Sequence, residues 1–219
     1  MKTIAIIPAR GGSKRLPNKN ILPIGGKPLL AYSIEYALAH SSIIDAVYVS
    51  TDDLSIKEIA LTYGAEVIDR PASLSTDDQP TITTLQHTLK VLPSGIENII
   101  LLQPTNPLRP KNLLSDAFQK YNEGNYDSLM TVTANHQKLG KIINEKFIPY
   151  NYTFGQRSQD MEPLYYENGL LYITKADTVQ KGEILAEHNY SFILDHPFTQ
   201  IDIDTEEDFK KAEFYLNNF

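Results

Sequence analysis

A loop near the start of the chain combines positive charge with glycine. It follows the apolar run at residues 4–7, and its members are Arg10, Gly11, Gly12, Ser13, Lys14, Arg15 and Lys19. Glycine lets a backbone turn sharply and bring N–H groups close to an anion, and the cations supply the charge that phosphates need. No Asp or Glu precedes Glu35, although the formal net charge of the chain is −7. The loop therefore predicts a polyanion site at the carboxyl end of a first strand.

Two familiar phosphate motifs do not fit this loop. A P-loop needs Gly-Lys followed by Ser or Thr, whereas the order here is Gly12-Ser13-Lys14. The dinucleotide fingerprint needs glycines spaced as G-x-G-x-x-G, and position 16 is Leu. A solvated basic loop without a ligand is the alternative, and the strand directly before the loop disfavours it. The remaining pattern is similar to the strand–Gly–Arg–Lys loop of sugar nucleotidyltransferases.

A second candidate site is the carboxylate pair Asp202 and Asp204, within a run from Gln200 to Thr205. If this run is a strand, both carboxylates point to one side and can bind one ion, while Ile201 and Ile203 face the other way. Hard oxygen ligands completed by water and phosphate suit Mg²⁺. In the alternative, Asp204 shapes a turn and Asp202 is solvated. The phosphate site predicted in the first loop favours the metal.

Alternating strands and helices are expected to position these residues. Apolar runs indicate strands at residues 4–7, 46–50, 66–68, 98–102, 127–133, 170–173, 192–194 and 201–204. Helices are expected between them. One starts at Pro28, one ends near Tyr63 with Gly64 as its left-handed cap, and one is opened by residues 76–81. Another covers 111–122, and the last begins with Thr205 and Asp208 as a capping box.

This alternation predicts an α/β fold with right-handed crossovers. We expect a mainly parallel sheet flanked by helices, and the similarity of the first loop to sugar nucleotidyltransferases implies a nucleotide-binding, Rossmann-like nucleotidyltransferase fold. In such sheets the ligand lies beyond the carboxyl ends of the strands. That rule brings the loops at 69–72, 76–81 and 103–109 beside the first loop.

The alternation disappears between about residues 134 and 167. This stretch contains Lys138, Lys141, Arg157 and several Tyr, with weak alternation around Phe147 and Ile148. An apolar, aromatic hairpin of this kind is more often an interface than a catalytic core. We therefore expect a protruding dimerisation segment at 134–167 within a single domain that covers residues 1–219.

The composition excludes several classes of protein. The 219 residues are 42% apolar and contain no Cys, so disulfides, a thiol nucleophile and Cys-ligated zinc are excluded. The acidic balance argues against general nucleic-acid binding, and no stretch approaches the roughly 20 apolar residues of a membrane span. Pro8 and Arg10 interrupt the only apolar run near the N-terminus, so no signal peptide is expected. These features favour a cytoplasmic protein without nucleic-acid or membrane partners.

Several stretches together resemble one family, the CMP-N-acylneuraminate synthetases, which are cytidylyltransferases that activate sialic acids. The matching stretches follow the family's order and are IPARGGSK at 7–14, PNKN at 17–20, VSTD at 49–52, RPA at 70–72, LLQPTNPLR at 101–109, NG at 168–169 and IDIDT at 201–205. Each one alone is weak, and the set is specific.

The resemblance implies a reaction in which CTP and a nine-carbon 2-keto sugar acid (a nonulosonic acid) give a CMP-sugar and pyrophosphate, in a homodimer with Mg²⁺ as cofactor. It implies these nucleotide contacts: Arg10, Gly11, Gly12, Ser13 and Lys19 at the triphosphate, and Asn20, Arg70 and Thr81 at cytidine. The implied sugar contacts are Gln103, Asn168 and Tyr172, with Lys141 and Arg157 reaching the sugar across the dimer. The implied catalytic residues are Arg10, Lys19, Asp202 and Asp204, and the two aspartates hold the metal.

One departure from the family pattern concerns the sugar. A second Arg often stands shortly before the Asn-Gly pair, and this chain has Tyr166 at the nearest position. The sugar therefore stays open among N-acetylneuraminate, legionaminate, pseudaminate and the deaminated sugar. The five histidines lie outside the matched stretches, and no general base is identified. The alternatives are the same chemistry on the eight-carbon Kdo or with GTP, and a non-catalytic nucleotide-binding module.

Overall fold

Strands and helices alternate along residues 2–218, the part of the chain that the computed structural model describes; Met1 and Phe219 lie outside it. The strands are β1 Lys2–Pro8, β2 Pro23–Ile24, β3 Lys27–Pro28, β4 Ala46–Thr51, β5 Glu66–Asp69, β6 Ile96–Leu101, β7 Ser128–Asn135, β8 Gly140–Ile143, β9 Lys146–Pro149, β10 Leu164–Lys175 and β11 Asn189–Ile193. The helices are α1 Leu29–Leu38, α2 Leu54–Thr62, α3 Thr81–Val91, α4 Leu113–Glu123, α5 Ala176–Gln180 and α6 Glu206–Asn218.

A central sheet organises the described residues. Its seven strands lie in the order β11-β7-β10-β6-β1-β4-β5. Strand β1 is parallel to β4 and β6, β4 is parallel to β5, and β7 is parallel to β11, whereas β10 runs antiparallel between β6 and β7. The predicted mainly parallel sheet is confirmed, and the exception is the strand that carries Tyr172.

Alternate side chains of β1 build the two halves of the core. Ile4 and Ile6 pack with residues of α3 and α5, and Ala5 and Ile7 pack with residues of α1, α2 and α4. All four side chains are fully buried. Burial of apolar surface on both faces of a strand is the main source of its stability, at roughly 1.5–3 kcal/mol for each large side chain. The helices therefore cover both faces of the sheet, as the sequence predicted.

The ends of the helices follow local sequence signals. Gly64 has φ +87° after α2, which only glycine adopts readily, so the predicted cap is confirmed. The capping box is also confirmed, because the Thr205 backbone N–H donates to the Asp208 carboxylate over 2.9 Å. Helix α1 begins one residue later than predicted, with Pro28 as its N-cap. Leu38, the last residue of α1, is 41% exposed.

The segment predicted to protrude forms a separate two-stranded sheet. Strands β8 and β9 pair only with each other among the described residues. Ile142 and Phe154 are 70% and 74% exposed, which leaves a large apolar surface on this side. The main sheet resumes at Leu164, where β10 pairs with the end of β7. No helix within residues 2–218 has the length and apolar character needed to cross a bilayer.

The run at 201–204 is not a strand, and this prediction was wrong. Its main chain is instead bound to the loop that follows β6. The Ile203 N–H donates to the Thr105 carbonyl over 2.8 Å, and the Asn106 amide donates to the Ile201 carbonyl over 2.8 Å. Because the segment is nevertheless extended, Ile201 and Ile203 are buried, as expected from the alternation.

Candidate active site

A cleft of about 560 Å³ opens at the carboxyl ends of β1 and β6. It is lined by the first loop, Arg70, the segment from Asp77 to Thr84, the loop from Gln103 to Thr105, and Asp204. A larger depression of about 740 Å³ lies at the other end of the strands, where β7 begins and β10 ends, around Asp127 and Lys175. It contains none of the residues predicted for the site. The cleft is therefore the candidate active site.

Close packing against neighbouring loops shapes the first loop. The Gly11 N–H donates to the Asp52 carboxylate over 3.2 Å, and the Asn20 amide donates to the Arg10 carbonyl over 3.0 Å. A Cβ placed on Gly11 would lie 2.7 Å from an oxygen of Asp53, which is too close for any other residue. A Cβ on Gly12 would make only an ordinary contact, 3.8 Å from Nη1 of Arg10. The structure therefore gives a steric reason for glycine at position 11.

Two carboxylates pair with the cations of this loop. Asp77 contacts Arg10 over 2.5 Å and also contacts Lys14. Asp204 contacts both Lys19 and Arg15 over 2.8 Å, and the Lys19 ammonium also donates to the Ile203 carbonyl over 2.7 Å. Hydrogen bonds from Lys14 and then Arg10 lower the pKa of Asp77 below its ordinary value. The sequence analysis did not predict a partner for these cations.

Arg70 is the most informative residue of the cleft. Its side chain is only 5% exposed, and its Nη1 donates to the Thr84 hydroxyl over 2.8 Å. Its Nε and Nη2 are buried without a hydrogen-bond partner among residues 2–218, since the nearest carboxylate, Asp52, is 3.9 Å away. Burial lowers its pKa. A buried donor without a partner costs roughly 1–3 kcal/mol, so the geometry indicates a ligand at this position. Asn20 and Thr81 line the same cleft.

On the other side of the cleft, Gln103 meets the side chains of β10. The Tyr172 hydroxyl donates to Glu167, and the Gln103 amide donates to that hydroxyl over 3.5 Å. Burial, followed by the bond to Glu167, raises the pKa of the Tyr172 phenol. Sequence reasoning missed Glu167, because an irregularity in β10 between Glu167 and Tyr172 brings the two side chains together.

Asn168, predicted to contact the sugar, is buried in this irregularity. Its side-chain oxygen accepts from Thr131 over 2.6 Å, and its amide donates to Thr133 over 3.0 Å. The neighbouring Gly169 has φ +75° and packs against Asn106. The geometry gives Asn168 a structural role in the bend of β10, and contact with a sugar remains a prediction.

Arg109 clamps the loop that carries Gln103. Its guanidinium donates to the Gln103 carbonyl over 2.8 Å, to the Leu170 carbonyl over 2.7 Å and to Ser33 over 3.0 Å. Burial lowers its pKa to about 10, so it stays charged at neutral pH. Its sequence signals were the matched stretch at 101–109 and its place at the end of a loop that contains two prolines, and no role was predicted for it.

Lys141 and Arg157 lie outside the cleft. Lys141 on β8 is above the ring of Tyr150, and Arg157 pairs with Asp160 over 2.7 Å. Neither lines the cleft of its own chain. Their predicted action from a partner subunit therefore remains a prediction.

The two late aspartates have different environments. Asp204 lines the cleft and forms ion pairs with Lys19 and Arg15. Asp202 instead receives a hydrogen bond from the Thr105 hydroxyl. Desolvation, and then the charge of Asp204, raise the pKa of Asp202. No group of three or more His, Cys, Asp or Glu suited to a metal occurs in the described part of the chain. Protein atoms alone therefore supply at most part of a metal's ligands.

An α/β sheet with a cationic loop and a buried Arg that has two unsatisfied donors in one cleft is typical of a nucleotide-binding protein. Residues 4–216 match the family model described as Cytidylyltransferase, and the chain belongs to that family.

Two relatives and one solved structure are similar to this chain. It is 35% identical to a pseudaminic acid cytidylyltransferase of Campylobacter jejuni subsp. jejuni serotype O:23/36 (strain 81-176), over 97% of this chain and 95% of the relative. It is 33% identical to an N-acylneuraminate cytidylyltransferase of Streptococcus agalactiae serotype III (strain NEM316), over 95% of this chain, and it spans about half (52%) of that relative. A CMP:2-keto-3-deoxy-manno-octonic acid synthetase complexed with CTP has a similar fold, with a TM-score of 0.72, 19% identity and 99% of each chain covered.

Proposed function

We propose that this protein activates a nonulosonic acid with CTP to give a CMP-sugar and pyrophosphate. The observation that carries the proposal is the cleft that joins the cations of the first loop to the two unpaired donors of Arg70. A nucleotide meets both needs, because its phosphates match the cations and the carbonyl and ring nitrogen of cytosine accept hydrogen bonds. The two relatives described above act on pseudaminic acid and on an N-acylneuraminate, so they support a nine-carbon acid without separating the two.

The reaction requires positioning and charge stabilisation rather than a protein nucleophile. The anomeric hydroxyl of the sugar attacks the α-phosphorus of CTP, a new phosphorus–oxygen bond forms, the bond to pyrophosphate breaks, and the hydroxyl proton passes to solvent. Arg10, Ser13 and Lys19 hold the phosphates and stabilise the charge that develops on the leaving group. Gln103 orients the sugar on the opposite wall, with Tyr172 bonded to its amide from behind and Arg109 fixing the Gln103 loop.

We also propose that Asp202 and Asp204 bind Mg²⁺. The two residues are two apart in one segment beside the Thr105 loop, and two oxygen donors leave room for phosphate and water, as Mg²⁺ prefers. When bound, such an ion neutralises phosphate charge and acidifies a coordinated hydroxyl. Asp202 is the cleaner residue to change, because Asp204 also pairs with Lys19 and Arg15. Asp202→Asn should raise the Mg²⁺ concentration needed for half-maximal activity and leave CTP binding without metal unchanged.

The test of the function is release of pyrophosphate from CTP with a panel of nine-carbon sugar acids. Lys19→Gln should lower kcat at least about 100-fold, because a buried cation on the phosphates is lost. The exposed pair of Lys57 and Asp69 lies away from the cleft, so Lys57→Gln serves as the control. Release only with Kdo or only with GTP would overturn the substrate assignment. Binding of CTP without release from any acid would favour the non-catalytic module.

We propose further that the active form is a homodimer in the cytoplasm. The exposed apolar side chains of β8, β9 and the following loop support an interface there, and Lys141 and Arg157 are on the same segment. The absence of Cys from the sequence is compatible with a reducing compartment.

A further inference from the structure

Asp77 occupies the position where the first loop is expected to receive phosphate. It is in the segment between β5 and α3, and its carboxylate touches both Arg10 and Lys14. Asp77 and the adjacent Asp78 are both exposed residues, but Asp78 forms no ion pair within residues 2–218. One carboxylate thus pairs with two cations that a triphosphate would otherwise contact.

We infer that Asp77 is an internal competitor of the phosphate chain, which sets the selectivity of the cleft among ligands with different numbers of phosphates. This inference rests on the proposed function, because it assumes that nucleotide phosphates bind Arg10 and Lys14. A triphosphate brings several negative charges and more acceptor oxygens than one carboxylate, so CTP displaces Asp77. A monophosphate has less charge, so Asp77 retains its contacts more often when the CMP-sugar is in the cleft.

The same competition acts on the leaving group. Pyrophosphate released at the first loop is held by the cations that Asp77 also binds. When the carboxylate returns to Arg10 and Lys14, it lowers the affinity of the loop for pyrophosphate and speeds its departure. Asp77 lies in a loop outside any strand or helix, since α3 begins only at Thr81. Its displacement therefore requires no rearrangement of the sheet.

The competition should be visible as tighter binding when the carboxylate is removed. Calorimetric titrations would compare the wild-type protein with Asp77→Asn and Asp78→Asn, using CTP, CMP, cytidine and inorganic pyrophosphate as ligands. Asp77→Asn should bind CTP and pyrophosphate about three- to tenfold more tightly, since each exposed ion pair is worth a small factor in an equilibrium. The gain should be smaller for CMP and absent for cytidine, and it should shrink at about 1 M salt.

Asp78→Asn makes the same change in net charge one residue away, so a general electrostatic effect would appear there equally. In turnover, Asp77→Asn should be inhibited by pyrophosphate at correspondingly lower concentrations. Equal or weaker binding of CTP by Asp77→Asn, an equal gain for cytidine, or an equal gain in Asp78→Asn would each overturn the inference. Failure of the wild-type protein to bind CTP would overturn the proposed function as well, whereas normal CTP binding without a gain in Asp77→Asn would overturn this inference alone.

Discussion

Arg70 has hydrogen-bond donors that a bound ligand could satisfy and that the free protein leaves unsatisfied. Its guanidinium is buried with one hydrogen bond to Thr84 and two unpaired donors. A buried charge with unsatisfied donors costs free energy, so we expect its replacement by an apolar side chain of similar size to be neutral or stabilising. The residue that costs stability is thus the one expected to recognise the nucleotide.

Arg70→Met should therefore separate stability from binding. The midpoint of thermal unfolding should stay the same or rise, and the Kd for CTP should increase roughly 10- to 100-fold, because hydrogen bonds to a charged group are worth about 1.5–3 kcal/mol. Thermal melts and calorimetric titration of CTP measure the two quantities. A lower unfolding midpoint together with unchanged CTP affinity would show that Arg70 is a structural residue.

Tyr172 and Glu167 form a hydrogen-bonded pair next to Gln103, on the side of the cleft proposed for the sugar. Because burial raises the pKa of the phenol, Tyr172 is neutral below its raised pKa and donates to Glu167 throughout the range in which enzymes are assayed. Its deprotonation would occur only as the pH rises through that raised value.

Tyr172→Phe should consequently raise the KM for the sugar acid several-fold and leave the KM for CTP and the shape of the pH profile between about pH 7 and 9 unchanged. Glu167→Gln should have a similar effect, since it removes the acceptor that orients Tyr172, and the exposed Glu162→Gln is its control. An alkaline limb that disappears in Tyr172→Phe would contradict the neutral phenol.

At the level of elements, the bend in β10 positions one wall of the cleft. Gly169 adopts φ +75°, and a Cβ there would lie 2.8 Å from the Asn106 side-chain oxygen. Asn106 in turn donates to the carbonyls of Asn168 and Ile201. One amide therefore joins β10 to the segment that carries the two aspartates.

Gly169→Ala should destabilise the protein more than a change in backbone conformation alone would. Gly26 has φ +81° and open space around it, so Gly26→Ala measures the conformational cost, expected at about 1 kcal/mol. Gly169→Ala adds a steric clash and should lose about 2–4 kcal/mol in urea unfolding. Equal losses in the two variants would mean that Asn106 moves aside at little cost.

Periodicity predicted the strands and helices well, because burial on a regular element leaves a regular pattern. Ile4, Ile6 and Ile7 are buried as predicted, and Gly64 ends its helix. The run at 201–204 has the same alternation, but its partner is a loop, and periodicity cannot distinguish a loop from a neighbouring strand. The pairing of Asp77 with Arg10 depends on contacts between residues far apart in sequence. Such contacts leave no local pattern, so the sequence did not predict them.

For the whole molecule, the open question with a structural answer is whether one chain completes the site. Gln103 lines one wall of the cleft, and the cations Lys141 and Arg157 lie on the exposed apolar segment. If two copies associate through this segment, each copy supplies these cations to its partner. Ile142→Glu should then give monomers with much lower activity, measurable by analytical ultracentrifugation. Leu54→Glu on α2 changes an equally exposed apolar residue, 77% exposed, and should leave the dimer intact.

Mixing of two inactive variants tests shared sites directly. Lys19→Gln disables the phosphate site of its own chain, and a double change of Lys141 and Arg157 to Ala disables only the contribution to the partner. In a two-fold dimer, random exchange of subunits makes about half of the dimers mixed, and each mixed dimer has one intact site, so about a quarter of the wild-type activity should return. The measurement is pyrophosphate release after co-refolding or prolonged incubation. If mixed dimers form without recovered activity, then Lys141 and Arg157 do not complete the partner's site.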